Sequence, residues 1–385
     1  MPKKKVETVY IHFVVGLAIM LLIRWAPVEM PAITPVGKQI LGIFVGTLYL
    51  WTTVDPVWSS ILCIFMIGIS DYAPMGAVLS SAFGNPTVVQ MFFLMIIMNS
   101  LQVTGLSAHI GRFFLTRKII IGRPWVFTAV LFTGSVLMAA FVGCFAPIFL
   151  FWPILYGIFQ DVGMKPKEEY PTLMLIFIVV ACAIGFPVPP YMSNGLALIS
   201  NYASITQNIL GTSVVINNGQ WLLVALVYGA FCATAIILFA KFVLRPDVSK
   251  LKNLTLEQLN KNPLPPLNRR QKTVAVVITV FLLGMMLPSL FPSLPGMSWL
   301  SANSTGMAMF FLVVLCVLQA DGKPLISIGE NMGNFAWGTY FLVVSAILLG
   351  SVLTNENTGV IAFLNTILAP VFQNMSPLVF TVVVL

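Results

Sequence analysis

Long apolar runs separated by short polar connections organise this chain. The runs fall near 6–23, 36–53, 57–69, 87–103, 124–143, 147–159, 171–200, 221–244, 273–288, 305–318 and 336–353, and one more starts at Pro377. They are continuous, with none of the period-two alternation of a membrane barrel, so they predict transmembrane helices of about 20 residues each. Several are shorter than that or are interrupted by proline and glycine, which predicts broken or re-entrant segments. The first run follows Lys3, Lys4 and Lys5 and lacks a small-residue cleavage site, so it is expected to be a retained span and not a signal peptide.

Composition sharpens this pattern. Of 385 residues, 58% are hydrophobic and only 8% charged, whereas a soluble domain is about a quarter charged. The expectation is an all-α polytopic membrane protein in contact with the lipid bilayer. Its basic residues are grouped: Lys3–Lys5, then Arg112, Arg117, Lys118 and Arg123, then Lys165 and Lys167, then eight between Lys241 and Lys272, and finally Lys323. Counting spans puts all of these connections on one side, with only Arg24 and Lys38 opposite. The positive-inside rule then predicts a cytoplasmic N-terminus in a plasma (cytoplasmic) membrane. The net charge of +8 is accounted for by these flanking loops and calls for no nucleic-acid partner.

Two stretches of the chain resemble each other. "GNPTVVQMFFL", "TGLSAHIGRFFL" and "PWVFTAVL" recur in the same order, about 250 residues further on, as "GNFAWGTYFL", "TGVIAFLNTIL" and "PLVFTVVVL". Gly84 and Asn85 correspond to Gly333 and Asn334, Thr104 and Gly105 to Thr358 and Gly359, and Pro124 to Pro377. The first Thr-Gly pair is followed by a basic stretch and the second by no Lys or Arg, which predicts an inverted-topology repeat. On this expectation 1–35 is an N-terminal span and loop, and 36–244 is the first repeat. A cytoplasmic linker at 245–272, with a short interfacial helix in "LTLEQLNK", leads to a second repeat at 273–385. The stretch 377–385 then matches only 124–132, so the second repeat is expected to be incomplete at the C-terminus, roughly 100 residues short of its counterpart.

Two places in the first repeat carry the candidate chemistry. In "AAFVGCFAPIFLFWPIL", Gly143 and Pro147 interrupt an apolar stretch, which predicts a re-entrant hairpin near 124–159 with its tip at 143–146. Non-helical backbone at membrane depth is tolerated where it lines a cavity or is buried in protein. In "AIGFPVPPYMSNGLALISNY", three prolines in four residues between Gly185 and Gly195 cannot continue a helix, which predicts a broken helix near 171–203. Its second half starts near Met192 to Asn194, with Ser193 as N-cap, so that Ser193 and Asn194 present neutral polar groups at a helix N-terminus. The candidate binding residues are therefore Gly143, Cys144, Phe145, Ala146, Gly185, Pro189, Pro190, Ser193, Asn194 and Gly195, with Na⁺ as a coupling ion on the carbonyls of Gly143 and Gly185.

Other chemistry finds little support. No ionisable residue stands mid-span, so a carboxylate proton relay is not expected; carbonyls, hydroxyls and amides suit Na⁺ better than protons. The five cysteines, Cys63, Cys144, Cys182, Cys232 and Cys316, show no metal-type spacing and read as packing residues. His12 and His109 lie near span ends and belong to no constellation. No nucleophile triad or phosphate-cradling glycine loop is present, so an enzyme is not expected and no cofactor is called for.

The segments "ITPVGKQILGIFVGTLYLW", "TGLSAHIGRFFL", "PIFLFWPI", "GFPVPPYMSNG" and "FAWGTYFLVVSAILLGSVL" resemble the divalent anion:sodium symporter family of the ion-transporter superfamily. The resemblance covers most of the chain. It implies an elevator-type homodimeric carrier that couples Na⁺ entry to uptake of a di- or tricarboxylate or of sulfate. Family members hold Na⁺ and a substrate carboxylate at Ser-Asn-Thr signatures on two hairpin tips and at two broken helices. The first of these signatures falls on Gly143, Cys144 and Phe145 here, so backbone carbonyls replace side-chain ligands, and the second falls beyond Leu385. The alternatives are a cation/proton antiporter or oxyanion exporter of the same superfamily, or a non-transporting membrane scaffold, which predicts unbroken helices.

Overall fold

The computed structural model describes residues 3–25, 32–115, 118–141, 146–165, 167–190, 193–253, 265–291, 293–333, 335–372, 375–376 and 379. Among the described residues the fold is all-α apart from one small β-hairpin. In order it forms α1 (Lys3–Leu22), α2 (Pro35–Thr53), α3 (Pro56–Gly68), α4 (Met75–Phe83), α5 (Pro86–Val103) and α6 (Leu106–Leu115). Next come α7 (Pro124–Phe141), α8 (Ala146–Asp161), α9 (Glu169–Gly185), α10 (Ser193–Leu210) and α11 (Asn218–Phe239), which closes in a π-helical turn at Ala240–Leu244. Then follow α12 (Arg269–Leu290), α13 (Met297–Ala302) and α14 (Ser304–Val317). The hairpin β1 (Gln319–Ala320) and β2 (Lys323–Pro324) leads to α15 (Ile328–Gly333), α16 (Trp337–Leu353) and α17 (Val360–Phe372). Among the described residues five helical stretches are long and apolar enough to cross a membrane: Thr8–Trp25, Pro86–Val103, Pro124–Phe141, Asn218–Leu244 and Arg269–Pro288. Four shorter apolar helices accompany them, Pro56–Gly68, Glu169–Gly185, Ser304–Val317 and Trp337–Leu353.

Local sequence explains where the helices begin. Pro35, Pro56, Pro86 and Pro124 each open a helix, where a missing N–H leaves no bond unmade. Short polar side chains cap several of these starts. Thr34 Oγ1 accepts the Gly37 N–H at 3.0 Å, Asp55 Oδ1 accepts the Val57 N–H at 2.8 Å, and Asn217 Oδ1 accepts the Gly219 N–H at 2.8 Å. Asn268 and Gln271 form a reciprocal capping box at the start of α12. The β-hairpin turns at Asp321 and Gly322, both at positive φ, the requirement of a two-residue turn between twisted strands. The apolar run 171–200 resolves into two helices, α9 and α10. The helices α4, α13 and α15 fall in connections that hydropathy alone reads as loops. The interfacial segment 254–261 and the run starting at Pro377 lie largely outside the described residues.

Two compact units arise, and neither follows the order of the sequence. The first comprises Met1–Val89, Ala197–Val215 and Ala336–Leu385; the second comprises Gln90–Leu196 and Ile216–Phe335. In the first unit α16 packs on α2, α3 and α4, burying Ile40, Ile43, Leu50, Ile67, Val344 and Leu348. Thr34 reaches across this unit: its N–H donates to the Thr358 carbonyl at 3.1 Å and its hydroxyl to the Asn357 carbonyl at 2.8 Å. Gly37 lies so near that a Cβ there would stand 1.8 Å from the Thr358 oxygen. At the same end Arg24 meets Asp71 at 3.6 Å, and Asp71 and Gln39 hydrogen-bond each other.

In the second unit α7, α8 and α9 share a core of Phe127, Leu131, Phe151, Leu155, Phe159 and Ile178. The Gln271 side chain at the start of α12 donates to the Thr104 carbonyl at the end of α5, at 2.9 Å. Lys250 Nζ donates to the Glu168 carboxylate at 2.8 Å and to the Gly163 carbonyl at 3.0 Å, tying the segment after α11 to the α8–α9 connection.

Two expected outcomes follow from these contacts. Gly37→Ala forces a methyl onto main chain that has little room to move, and should cost about 1–3 kcal/mol of stability, read as a lower unfolding temperature in detergent. The Lys250 hydrogen bond, with a main-chain bond at Lys165 adding to it, holds the Glu168 carboxyl below the ordinary glutamate range. A depressed carboxyl stabilises the fold above its unfolded pKa, and that contribution is lost as pH falls through the folded value. Lys250→Met should therefore be less stable than wild type at neutral pH, and the gap should close as pH falls below about 4.

Candidate functional site

The candidate residues that the structure describes fall in the second unit, at the start of α8, the end of α9 and the start of α10. Helices α7 and α8 are separated by four residues, 142–145, and pack against each other and against α9. Gly143, Cys144 and Phe145, which lie in that connection, are outside the described residues. Ala146 is the first residue of α8. Pro147 beside it is buried. Helix α7 is long and apolar enough to cross a membrane.

The break in the second segment is well defined. Helix α9 ends at Gly185, the Phe186 N–H still donates to the Cys182 carbonyl at 3.0 Å, and the Val188 N–H turns back to the Gly185 carbonyl at 3.1 Å. Three prolines then remove three donors, and helix resumes only at Ser193. Ser193 and Asn194 open α10, and Tyr191 and Met192 before them lie outside the described residues. The carbonyls freed by the break are partly recaptured. The Trp221 indole N–H donates to the Pro187 oxygen at 3.1 Å, and Gly195 is set so close to the Pro189 oxygen that a Cβ would stand 2.2 Å from it.

Packing joins the two discontinuities. Gly185 lies against α7, where a Cβ would meet the Val136 carbonyl oxygen at 2.2 Å, and α7 packs along α9. Val188, in the break, shares a small buried cluster with Ala140, near the end of α7, and with Leu222 of α11. Gly185, Pro189, Pro190 and Gly195 are all buried. The end of α7 and the break after α9 thus share one buried cluster. The Gly185 carbonyl already accepts the Val188 N–H, so a cation there would use its second lone pair.

Trp221 was not legible as part of this arrangement. An aromatic at a helix start reads as an interfacial anchor, and only the chain reversal through α10 returns it to Pro187. His109, which the sequence left without partners, has Nε2 2.9 Å from the Pro265 carbonyl. Among the described residues no group of three or more His, Cys, Asp or Glu is placed to hold a metal ion. No protein-family model matches this sequence, and no curated protein matches it.

Trp221→Phe keeps the ring but removes the donor to the Pro187 oxygen. It should cost about 1 kcal/mol in stability, whereas Gly185→Ala should cost more because its methyl meets backbone. Unfolding temperatures of the two variants in the same detergent check the order.

Proposed function

We propose that this chain is a secondary active transporter for a small anion, a dicarboxylate in the first instance, coupled to Na⁺. The observation that carries the reading is the break at 186–192 held beside the α7–α8 hairpin in one unit. Helix ends at such a site offer N–H groups to an anion and carbonyls to a cation without any formal charge. A plain scaffold has no use for three prolines, two of them buried, where a helix is broken against its neighbours.

The inverted repeat is supported by a crossed exchange between the two copies. Helix α16, the counterpart of α5, packs on α2, α3 and α4 of the first copy. The start of α12, the counterpart of α2, bonds to Thr104 at the end of α5. The two Thr-Gly turns thus receive similar docks, Thr34 on Thr358 and Gln271 on Thr104, each from the residues that lead into the opposite copy. Sidedness supports the same reading. Positive-inside counting assigns Thr34, Arg24, Asp71 and Thr358 to the outer face, and Gln271, Thr104, Lys250 and Glu168 to the cytoplasm. Every one of the contacts just described joins ends that this counting puts on the same side. A hairpin at α7–α8 returns the chain to the side it left, whether its arms cross fully or re-enter, so the orientation is unaffected.

A membrane setting agrees with the surface of the helices. Only 6% of Asn218–Leu244 and 11% of Thr8–Trp25 is buried inside the protein, leaving Leu223, Val224, Val227 and Phe231 exposed. Apolar faces of this extent belong against lipid or another protomer, in keeping with a multi-pass, homodimeric carrier whose N-terminus is cytoplasmic.

Reconstitution into liposomes tests the function. With an inward Na⁺ gradient the protein should accumulate labelled succinate, malate, citrate or sulfate above equilibrium, and collapse of the gradient should release it. No Na⁺-dependent accumulation of any of the four would overturn the symport reading, and proton-driven efflux would favour an antiporter or oxyanion exporter instead.

A further inference from the structure

Away from the hairpin and the break, the second unit buries a pair of amides. Asn99, one turn before the end of α5, and Asn331, on α15, are 8% and 1% exposed. Asn99 Nδ2 donates to the Asn331 main-chain carbonyl at 2.8 Å and to the Asn331 Oδ1 at 2.7 Å. A main-chain carbonyl only accepts, so it fixes which end of the Asn99 amide faces it. That nitrogen in turn fixes the Asn331 oxygen toward itself. Asn331 Nδ2 is therefore turned away from the pair, and it is buried with no hydrogen-bond partner among the described residues. Interiors seldom leave such a donor bare, because its desolvation is not repaid.

The missing partner must be an acceptor. A cation is excluded by two N–H groups that point at it. The charged groups nearby are already matched to one another: the Glu330 carboxylate meets Arg270 at 3.4 Å, and the Arg270 Nε–H is held by the Leu325 carbonyl at 2.7 Å. Ser100, buried next to Asn99, spends its hydroxyl on the Ile97 carbonyl at 2.5 Å. What remains is an uncharged donor, locked in direction, on the side to which positive-inside counting assigns 18 of the 20 Lys and Arg residues and where a small anion would meet positive potential.

We propose that Asn331, positioned by Asn99, binds an oxygen of the transported oxyanion, a carboxylate or sulfate oxygen, on the cytoplasmic side of its path. This rests on the anion-carrier reading and adds a binding residue outside the hairpin and the break. The pair also joins the two copies, since Asn99 belongs to the first and Asn331 to the second.

The test uses the full chain in lipid nanodiscs, titrated with sulfate and with succinate while the unfolding temperature is followed. Wild type should be stabilised by the anion. Asn331→Leu, which removes the donor, should weaken the apparent affinity about tenfold or more. Asn331→Asp, which keeps the oxygen bonded to Asn99 but presents negative charge to the ligand, should weaken it further. The order wild type, leucine, aspartate is the signature, because a purely structural role would move the baseline unfolding temperature and leave the affinity alone. If the aspartate variant does not fold, the leucine variant decides by itself. Wild-type binding with the leucine variant within twofold overturns the site and leaves the carrier reading intact, assigning the donor to a resident water. Absence of any anion response in wild type overturns both.

Discussion

The constraint on which this structure depends is the hydrogen-bonding of main chain wherever a helix stops among apolar neighbours. Each unpaired main-chain group buried away from water is costly, and several helix ends of this chain are tied to one another. Thr34 caps its own helix and bonds to Thr358; Gln271 completes its own capping box and bonds to Thr104; Trp221, in the first turn of α11, takes a carbonyl released by the proline break. Residues at the start of one helix thus serve the end of another. The same few residues start the elements and arrange them.

Close backbone approach is the second device, and it follows from the first. Short polar bridges between main chains work only if the helices come near, and glycine permits that. At Gly37, Gly185 and Gly195 the neighbouring carbonyl occupies the space that any Cβ would fill. Two of these three glycines flank the break between α9 and α10. The discontinuity is in this sense built: prolines remove donors, and glycines admit neighbouring backbone. Val188, Pro189 and Pro190 are buried there within the protein.

Much of the helical architecture was legible in the sequence, because burial in hydrocarbon imposes length and composition directly. The runs at 36–53, 57–69 and 87–103 became α2, α3 and α5 almost residue for residue, since a proline in the first turn marks each start. The interruption between Gly185 and Gly195 was equally plain, because three prolines in four residues admit no helix. Short elements such as α4 and α15 were missed for a physical reason: they are too short for periodicity to stand out and are held by tertiary contact. The amide pair Asn99 and Asn331 carried no signal at all, since each is a lone polar residue until the fold sets one against the other.

The sequence by itself determined the material: an all-α chain, helices long enough to cross a membrane, an asymmetric charge distribution, and two points where a helix cannot continue. These depend on local chemistry, on hydropathy over about 20 residues and on what proline and glycine allow. Only the tertiary structure decided partnership. It divided the chain into two units that each draw on distant parts of the sequence, set Gly185 against Val136, and turned the Asn331 amide nitrogen away from Asn99. Those outcomes rest on complementarity between surfaces far apart along the chain, where a single carbonyl or methyl decides which faces meet.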